Sequence, residues 1–280
     1  MGGAGTASEG PAIRRVNVRG CATAYVDLGP PEGRPVLFVH GFASDHGVWA
    51  ENLPAVAEKR RALALDLVGH GGSGRPLAPY TVSYYARHVA AFMDALDLKD
   101  VALVGVSLGG AIVATVGLRH PERLARLVLV DAAGVGRRPQ SWASRQRFMP
   151  SLFWQALGRP RRSVVKRFLE EAIFASPQAV TGTWIEQTLE AHRHSRLASL
   201  VTGVTLMLPD AFLYPRLDRL GLPTLVIWGS EDRTFPLQDG RDAAARIPGA
   251  RLEILDGIGH VPMQESPEEF NRRLLAFLGE

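Results

Sequence analysis

Ser107, Asp232 and His260 are the side chains whose types and chain order fit nucleophilic acyl transfer. Ser107 sits in Gly105-Val106-Ser107-Leu108-Gly109-Gly110, after the apolar run Val101–Val106 and before the helical pattern Ala111–Leu118. A serine on a sharp strand-to-helix turn stands exposed at the C-terminal edge of a sheet. Glycines two residues to either side keep so tight a bend free of clashes. The turn also aims a helix N-terminus, with its free N–H groups, at developing negative charge.

A serine hydroxyl is a weak nucleophile and needs a base. Of the eight histidines, His260 in Asp256-Gly257-Ile258-Gly259-His260-Val261-Pro262 is the best placed, because it follows the last strand. Open α/β sheets bind ligands beyond the carboxyl ends of their strands. His120 ends a helix before Pro121, and His88, His192 and His194 lie in helical stretches and read as surface residues. The base needs a carboxylate to fix its tautomer. Asp232, in Trp228-Gly229-Ser230-Glu231-Asp232-Arg233, follows the preceding strand. Glu231 beside it is read as pointing elsewhere, and Asp131, which also ends a strand, is the alternative acid. Two N–H donors must meet the oxyanion. Leu108 supplies one, and the loop His40-Gly41-Phe42-Ala43 supplies the other at Phe42. His40 is read as a structural hydrogen-bonder.

These residues need a scaffold. Arg15–Val18 and Thr23–Asp27 flank Arg19-Gly20 as a hairpin. Six further runs follow: Val36–Val39, Ala62–Asp66, Val101–Val106, Leu124–Val130, Thr224–Trp228 and Arg251–Leu255. Their nearly continuous apolar character marks parallel strands buried on both faces. Amphipathic patterns at Tyr84–Leu96 and Glu268–Leu278 supply helices between and after them. The expectation is a doubly wound α/β domain with a mostly parallel, eight-stranded sheet.

More than ninety residues separate Val130 from Thr224, whereas a parallel crossover needs about a dozen. The surplus is read as a helical cap over residues 134–209, inserted into a core of residues 12–133 and 210–280. Residues 1–11 are small and polar and read as a tail. Cap residues Phe148, Phe153, Trp154 and Met207, with Val261 beside the base, are the expected substrate-pocket lining. From Gly134 to Phe168 there are nine Arg/Lys and no Asp or Glu. A solvated helix face is the plain reading of that run; attraction of an anionic substrate or membrane surface is the functional one.

Composition narrows the classes. Against 32 Lys+Arg stand 28 Asp+Glu, so the basic excess is too small to argue for nucleic acid, despite a pI near 9.6. The single cysteine, Cys21, allows no intramolecular disulfide and has no metal-ligand spacing around it. No apolar run reaches the roughly 20 residues that span a bilayer, and the N-terminus lacks a signal-peptide pattern. A cytoplasmic protein is expected. Gly69-His70-Gly71-Gly72-Ser73-Gly74 lacks the Lys-Ser/Thr of a phosphate loop and reads as a tight turn. No cofactor and no metal are expected, and the expected partner is a small-molecule ester.

Taken together, HGF at 40–42, DLVGHGGSG at 66–74, GVSLGG at 105–110, WGSEDRTFP at 228–236 and GHVPMQESPEEF at 259–270 resemble the α/β-hydrolase family, in its capped, lipase- and esterase-like branch. The resemblance implies the fold, the triad roles and two-step acyl transfer to water, on short to medium acyl esters. Other chemistries share the scaffold. The tail from Trp228 onward is also similar to that of carbon–carbon bond hydrolases of the meta-cleavage type. Those enzymes carry a longer Gly-rich oxyanion loop and a Trp after the base, where this chain has HGFAS and Val261. Perhydrolase or haloperoxidase-like activity uses the same triad, and some members of the fold are ligand receptors.

Overall fold

The computed structural model describes residues 11–138, 161–206 and 208–279. The strands are β1 (Arg14–Val18), β2 (Cys21–Leu28), β3 (Pro35–Val39), β4 (Arg61–Leu65), β5 (Val101–Val106), β6 (Leu124–Val130), β7 (Thr224–Gly229) and β8 (Arg251–Leu255). They form one sheet in the order β1-β2-β4-β3-β5-β6-β7-β8. The β1–β2 hairpin and the β2–β4 pair are antiparallel. Every other pair is parallel. The expected doubly wound, mostly parallel sheet is present, with the hairpin at one edge.

Period-two alternation explains how continuous apolar runs serve two faces. Leu37, Val39, Leu63, Leu65, Leu103, Leu127, Leu129, Val226 and Trp228 face one core cluster, shared with helices Val82–Ala95 and Leu108–Arg119. Val36, Phe38, Ala62, Ala64, Ala102, Val104, Val128, Val130, Leu225 and Ile227 face the other, against Phe270, Leu274 and Leu278 of helix Pro267–Leu278. Strand β8 departs from the expectation of burial on both faces. Arg251 is exposed, Leu252, Glu253 and Ile254 are half-buried, and only Leu255 is buried. The reason is its place at the sheet edge.

Between β6 and β7 the described residues hold helices and turns but no strand. Helix Arg162–Phe168 continues into a π turn, Leu169–Ile173, and a long helix spans Gly182–Thr205. Thr181 starts the long helix, its hydroxyl accepting from the Trp184 N–H. The buried face of that helix is mostly small or polar: Ile185, Leu189, Ala191, His192, Ser195, Ala198, Ser199 and Thr202. Ala198 packs so closely on Gly69 that a Cβ there would lie 2.5 Å from the Ala198 Cβ. The segment from Gly69 to Gly74 is the tight turn the sequence suggested, closed by a 2.8 Å bond from Gly69 N to Gly74 O. No helix of the described residues is long and apolar enough to cross a membrane.

Candidate active site

Strand β5 ends at Val106, and helix Leu108–Arg119 begins at the next residue but one. Ser107 alone makes the turn, with φ 55° and ψ −119°, outside the regions open to most side chains. The end of β6 and the residues just after it hold it there. Its N–H donates to Val130 O at 2.9 Å, and its carbonyl accepts from Ala133 N at 2.9 Å. A Cβ on Gly105 would lie 2.3 Å from Gly109 O, and one on Gly109 would lie 2.2 Å from Val39 O. Glycine is therefore required at both positions, as the sequence suggested.

The strand order reverses between β3 and β5, which places the loops after these two strands side by side. Gly41 accordingly abuts the serine: a Cβ there would lie 3.2 Å from the Ser107 Cβ. Phe42 and Leu108 line the same cavity as Ser107. Leu108 is the first residue of its helix, where N–H groups have no intrahelical acceptor. His40 is fully buried, contacts Gly41 O through Nδ1 at 2.8 Å and accepts from Leu67 N at Nε2. Both nitrogens are engaged in holding loops, as expected of a structural residue.

Strands β7 and β8 are neighbours, so the loops that follow them also meet. His260 Nδ1 lies 2.8 Å from Asp232 Oδ2, with both side chains buried. Asp232 Oδ1 accepts from Thr234 N at 2.7 Å and Phe235 N at 3.0 Å. A carboxylate so held can only accept, which places the proton on Nδ1 and leaves Nε2 as the basic nitrogen. His260 also lines the cavity that Ser107 lines. Glu231 is exposed, as expected.

Asp131 is brought to the same place but is bonded differently. Its Oδ1 accepts from Gly229 N at 3.0 Å, and its buried Oδ2 lies against the Asp232 carboxylate without a hydrogen bond of good geometry. Burial, with the Asp232 charge beside it, pushes the Asp131 carboxyl well above the usual range. Asp131, Asp232 and His260 bring three ligand-type atoms within 4.8 Å of one another. The two oxygens of Asp232 and the Nδ1 of His260 already satisfy one another and the backbone in that cluster.

Several supporting residues escaped sequence reasoning. Glu265 accepts from Gly259 N and from Ala175 N, both at 2.9 Å, and so ties the loop of His260 to the π turn region. Burial raises its pKa, against the pull of those N–H groups. The only sequence signal for it was its place in the motif after His260. His46 Nδ1 meets Asp66 Oδ1 at 2.7 Å on the cavity wall. Burial opposes the His46 charge, but the bond to Asp66 and its charge outweigh burial and raise the pKa. His88 and His192 are buried, contrary to the surface reading. His88 lies 3.0 Å from the Thr23 hydroxyl, under the hairpin. His192 faces the cavity from helix Gly182–Thr205. His194 is exposed, as read, and His120, at the end of its helix, is half-buried.

The cavity has a volume of about 480 Å3, within the range of small-molecule sites. Phe168, Leu169, Phe174, Trp184 and Leu206 line it from the segment between β6 and β7, and Val261 lines it beside His260. Val261 packs against both the sheet cluster and the apolar cluster of that segment. The other expected pocket residues, Phe148, Phe153, Trp154 and Met207, lie outside the described residues, as do residues 1–10 of the tail.

Comparison with known proteins settles the family. A sequence model of the alpha/beta hydrolase fold matches residues 34–267. The chain belongs to the α/β-hydrolase family. It is 32% identical to the dihydrolipoyllysine-residue acetyltransferase component of an acetoin cleaving system from Pseudomonas putida, over 99% of this chain and 72% of that protein. It is 31% identical to a 2-hydroxymuconate semialdehyde hydrolase of the same organism, over 95% of this α/β hydrolase and 94% of the relative. Among solved structures, a membrane phospholipase A described as a bacterial virulence factor superposes with a TM-score of 0.84 at 28% identity, covering 96% of this chain and 86% of that one.

Proposed function

We propose that this α/β hydrolase cleaves carboxylic esters through an acyl intermediate on Ser107. The observation that carries the proposal is the buried 2.8 Å pair of His260 and Asp232, sharing one apolar cavity with a serine held at positive φ. His260 Nε2 takes the proton of the Ser107 hydroxyl as Oγ bonds to the carbonyl carbon. The carbonyl electron pair moves to oxygen, where the N–H groups of Phe42 and Leu108 receive it. Collapse returns that pair, breaks the bond to the alkoxy group and sends the proton from His260 to the leaving alcohol. Water, deprotonated by His260, then releases the acid by the same steps. Asp232 orients the imidazole and stabilises its cation without taking the proton.

The segment at 134–209 acts as a cap in this proposal. Phe174 and Trp184, with ring centroids 6.0 Å apart, give its cavity face an apolar, aromatic character suited to an acyl chain. Such walls discriminate weakly, about 1–3 kcal/mol per methylene, so the expected preference is broad, about C4 to C8. The likeness to a phospholipase A, by its name an ester-cleaving enzyme, supports the ester reading. The likeness to a 2-hydroxymuconate semialdehyde hydrolase supports a second reading, hydrolysis of a carbon–carbon bond beside a ketone by the same residues. A turnover panel separates them: p-nitrophenyl esters from acetate to palmitate, beside a vinylogous 1,5-diketone. Butyrate to octanoate should have the highest kcat/KM. A diketone faster than every ester would establish the second reading, and palmitate faster than butyrate would mark a lipase.

A further inference from the structure

His192 is the point where helix Gly182–Thr205 leaves hydrogen-bonding capacity unused. The helix buries four polar side chains along one stripe, at positions 192, 195, 199 and 202. Three of them are satisfied. Ser195 Oγ donates to Ala191 O at 2.8 Å, and Ser199 Oγ donates to Ser195 Oγ at 3.0 Å. Thr202 Oγ1 contacts Tyr80 O and the Tyr85 hydroxyl. Among the described residues His192 has no hydrogen-bond partner at either Nδ1 or Nε2, although it is 2% exposed. The Thr188 backbone one turn back favours the protonated ring, but not in hydrogen-bond geometry. Burial dominates and lowers its pKa to about 4, so the ring is neutral near pH 7.

A buried imidazole with two idle nitrogens is an uncommon choice. Native proteins pair nearly all such groups, and an apolar side chain of similar shape would avoid the cost. The ring belongs to the wall of the cavity that holds Ser107 and His260. The same stretch of helix lines the cavity with Trp184, Gln187, Thr188, Glu190 and Ala191, and His192 is the one polar side chain of that stretch that is fully buried. Its nitrogens are buried while the residue lines the cavity, and the soft Cβ–Cγ torsion of histidine allows the ring to turn one of them outward. His70 stands close enough to feel the charge of His192, and its own Nε2 is likewise buried and unpartnered. Burial, helped by His40, lowers His70 to about 3. Burial keeps both rings neutral, which suits an uncharged ligand atom.

We propose that His192 is a specificity-determining residue that hydrogen-bonds an uncharged oxygen, a ketone or a hydroxyl, carried on the acyl chain away from the scissile carbonyl. The proposal rests on the ester-hydrolase reading for the meaning of acyl chain, but binding tests it alone. A neutral imidazole offers one donor and one acceptor, which matches a ketone or hydroxyl and leaves a carboxylate without a cation. A site built to bond a substrate oxygen rejects the analogue lacking it far more strongly than an apolar wall selects by size.

The test uses the full chain carrying Ser107→Ala, which removes turnover. Binding of methyl oxo-octanoates with the ketone at successive positions is measured by calorimetry against methyl octanoate. One ketone position should bind about 10-fold or more tighter than the plain ester. Adding His192→Phe, which keeps the ring shape, should abolish that preference, and His192→Gln should keep part of it. Melting curves check that both variants fold, and the glutamine variant carries the test if the phenylalanine variant does not. No preferred ketone position, or a preference that survives both substitutions, would overturn the inference. A carboxylated chain that binds better than every ketone would overturn it too. Ester turnover by the unsubstituted enzyme is measured separately. Its absence would refute the proposed function and leave the binding result standing.

Discussion

The cavity has two walls of different construction. The wall made by the strand ends fixes its groups through bonds to backbone, from the neighbouring strand or from the same loop. Ser107 is tied to Val130 and Ala133, and Asp232 to Thr234 and Phe235. The wall made by the segment after β6 is apolar apart from a few side chains, and it leaves both nitrogens of His192 idle. The first design serves chemistry, where misplacement by an ångström is costly. The second serves recognition, where groups are left free for a ligand to use.

The sharpest way to break this comparison is on the strand-end wall itself. Asp232→Asn should lower kcat by about 10^3–10^4-fold, because the amide favours the wrong imidazole tautomer. Asp131→Asn should stay within about 10-fold of the parent. Burial and the Asp232 charge push its carboxyl well above the ordinary range, toward the neutral form that an amide mimics. The sign for stability follows from the same shift. A carboxyl raised in the folded state holds its proton where the unfolded chain releases it. It therefore destabilises the fold increasingly above the unfolded pKa. Asp131→Asn should gain in melting temperature over the parent as pH rises from about 5 to 9. Activity losses in the reverse order would make Asp131 the acid.

The strand-end wall was also the legible one. Four of the strands, β5, β6, β8 and β3 apart from its first residue, begin and end where apolar runs do in the sequence. Helix Val82–Ala95 starts two residues before its apolar pattern, because Thr81 caps it through the Tyr84 N–H. The helical wall was read poorly for a physical reason. Helix Gly182–Thr205 buries Ser195, Ser199 and Thr202, which hydropathy counts as surface, so His192 looked exposed. The role of Glu265 depends in part on Ala175, 90 residues earlier in the chain, which no local pattern encodes.

On the second wall the effects should be smaller. Trp184→Ala should shift the preferred acyl chain by one or two methylenes toward longer esters, changing kcat/KM ratios by about 5–100-fold. A proportional loss across all chain lengths would instead place Trp184 in support of the fold. Smallest is the effect of salt. Arg137, Arg138, Arg161, Arg162, Lys166 and Arg167 are exposed, and Arg162, Lys166 and Arg167 pair with Glu186, Glu170 and Glu171. Exposed pairs of this kind contribute little and are screened. Raising salt from about 0.01 to 0.5 M should leave the ratio of anionic to neutral ester turnover within about 2-fold. A larger, salt-sensitive preference for an acidic ester would make that stretch an electrostatic selector.

The central claim is that Ser107 is the nucleophile, activated by His260. Its most direct test is mass spectrometry of the protein after treatment with a fluorophosphonate. The account predicts a single adduct on the peptide carrying Ser107, slowed strongly by His260→Ala and absent in Ser107→Ala. A folded parent that takes no adduct, or takes it on another serine at the same rate in all three proteins, would contradict it.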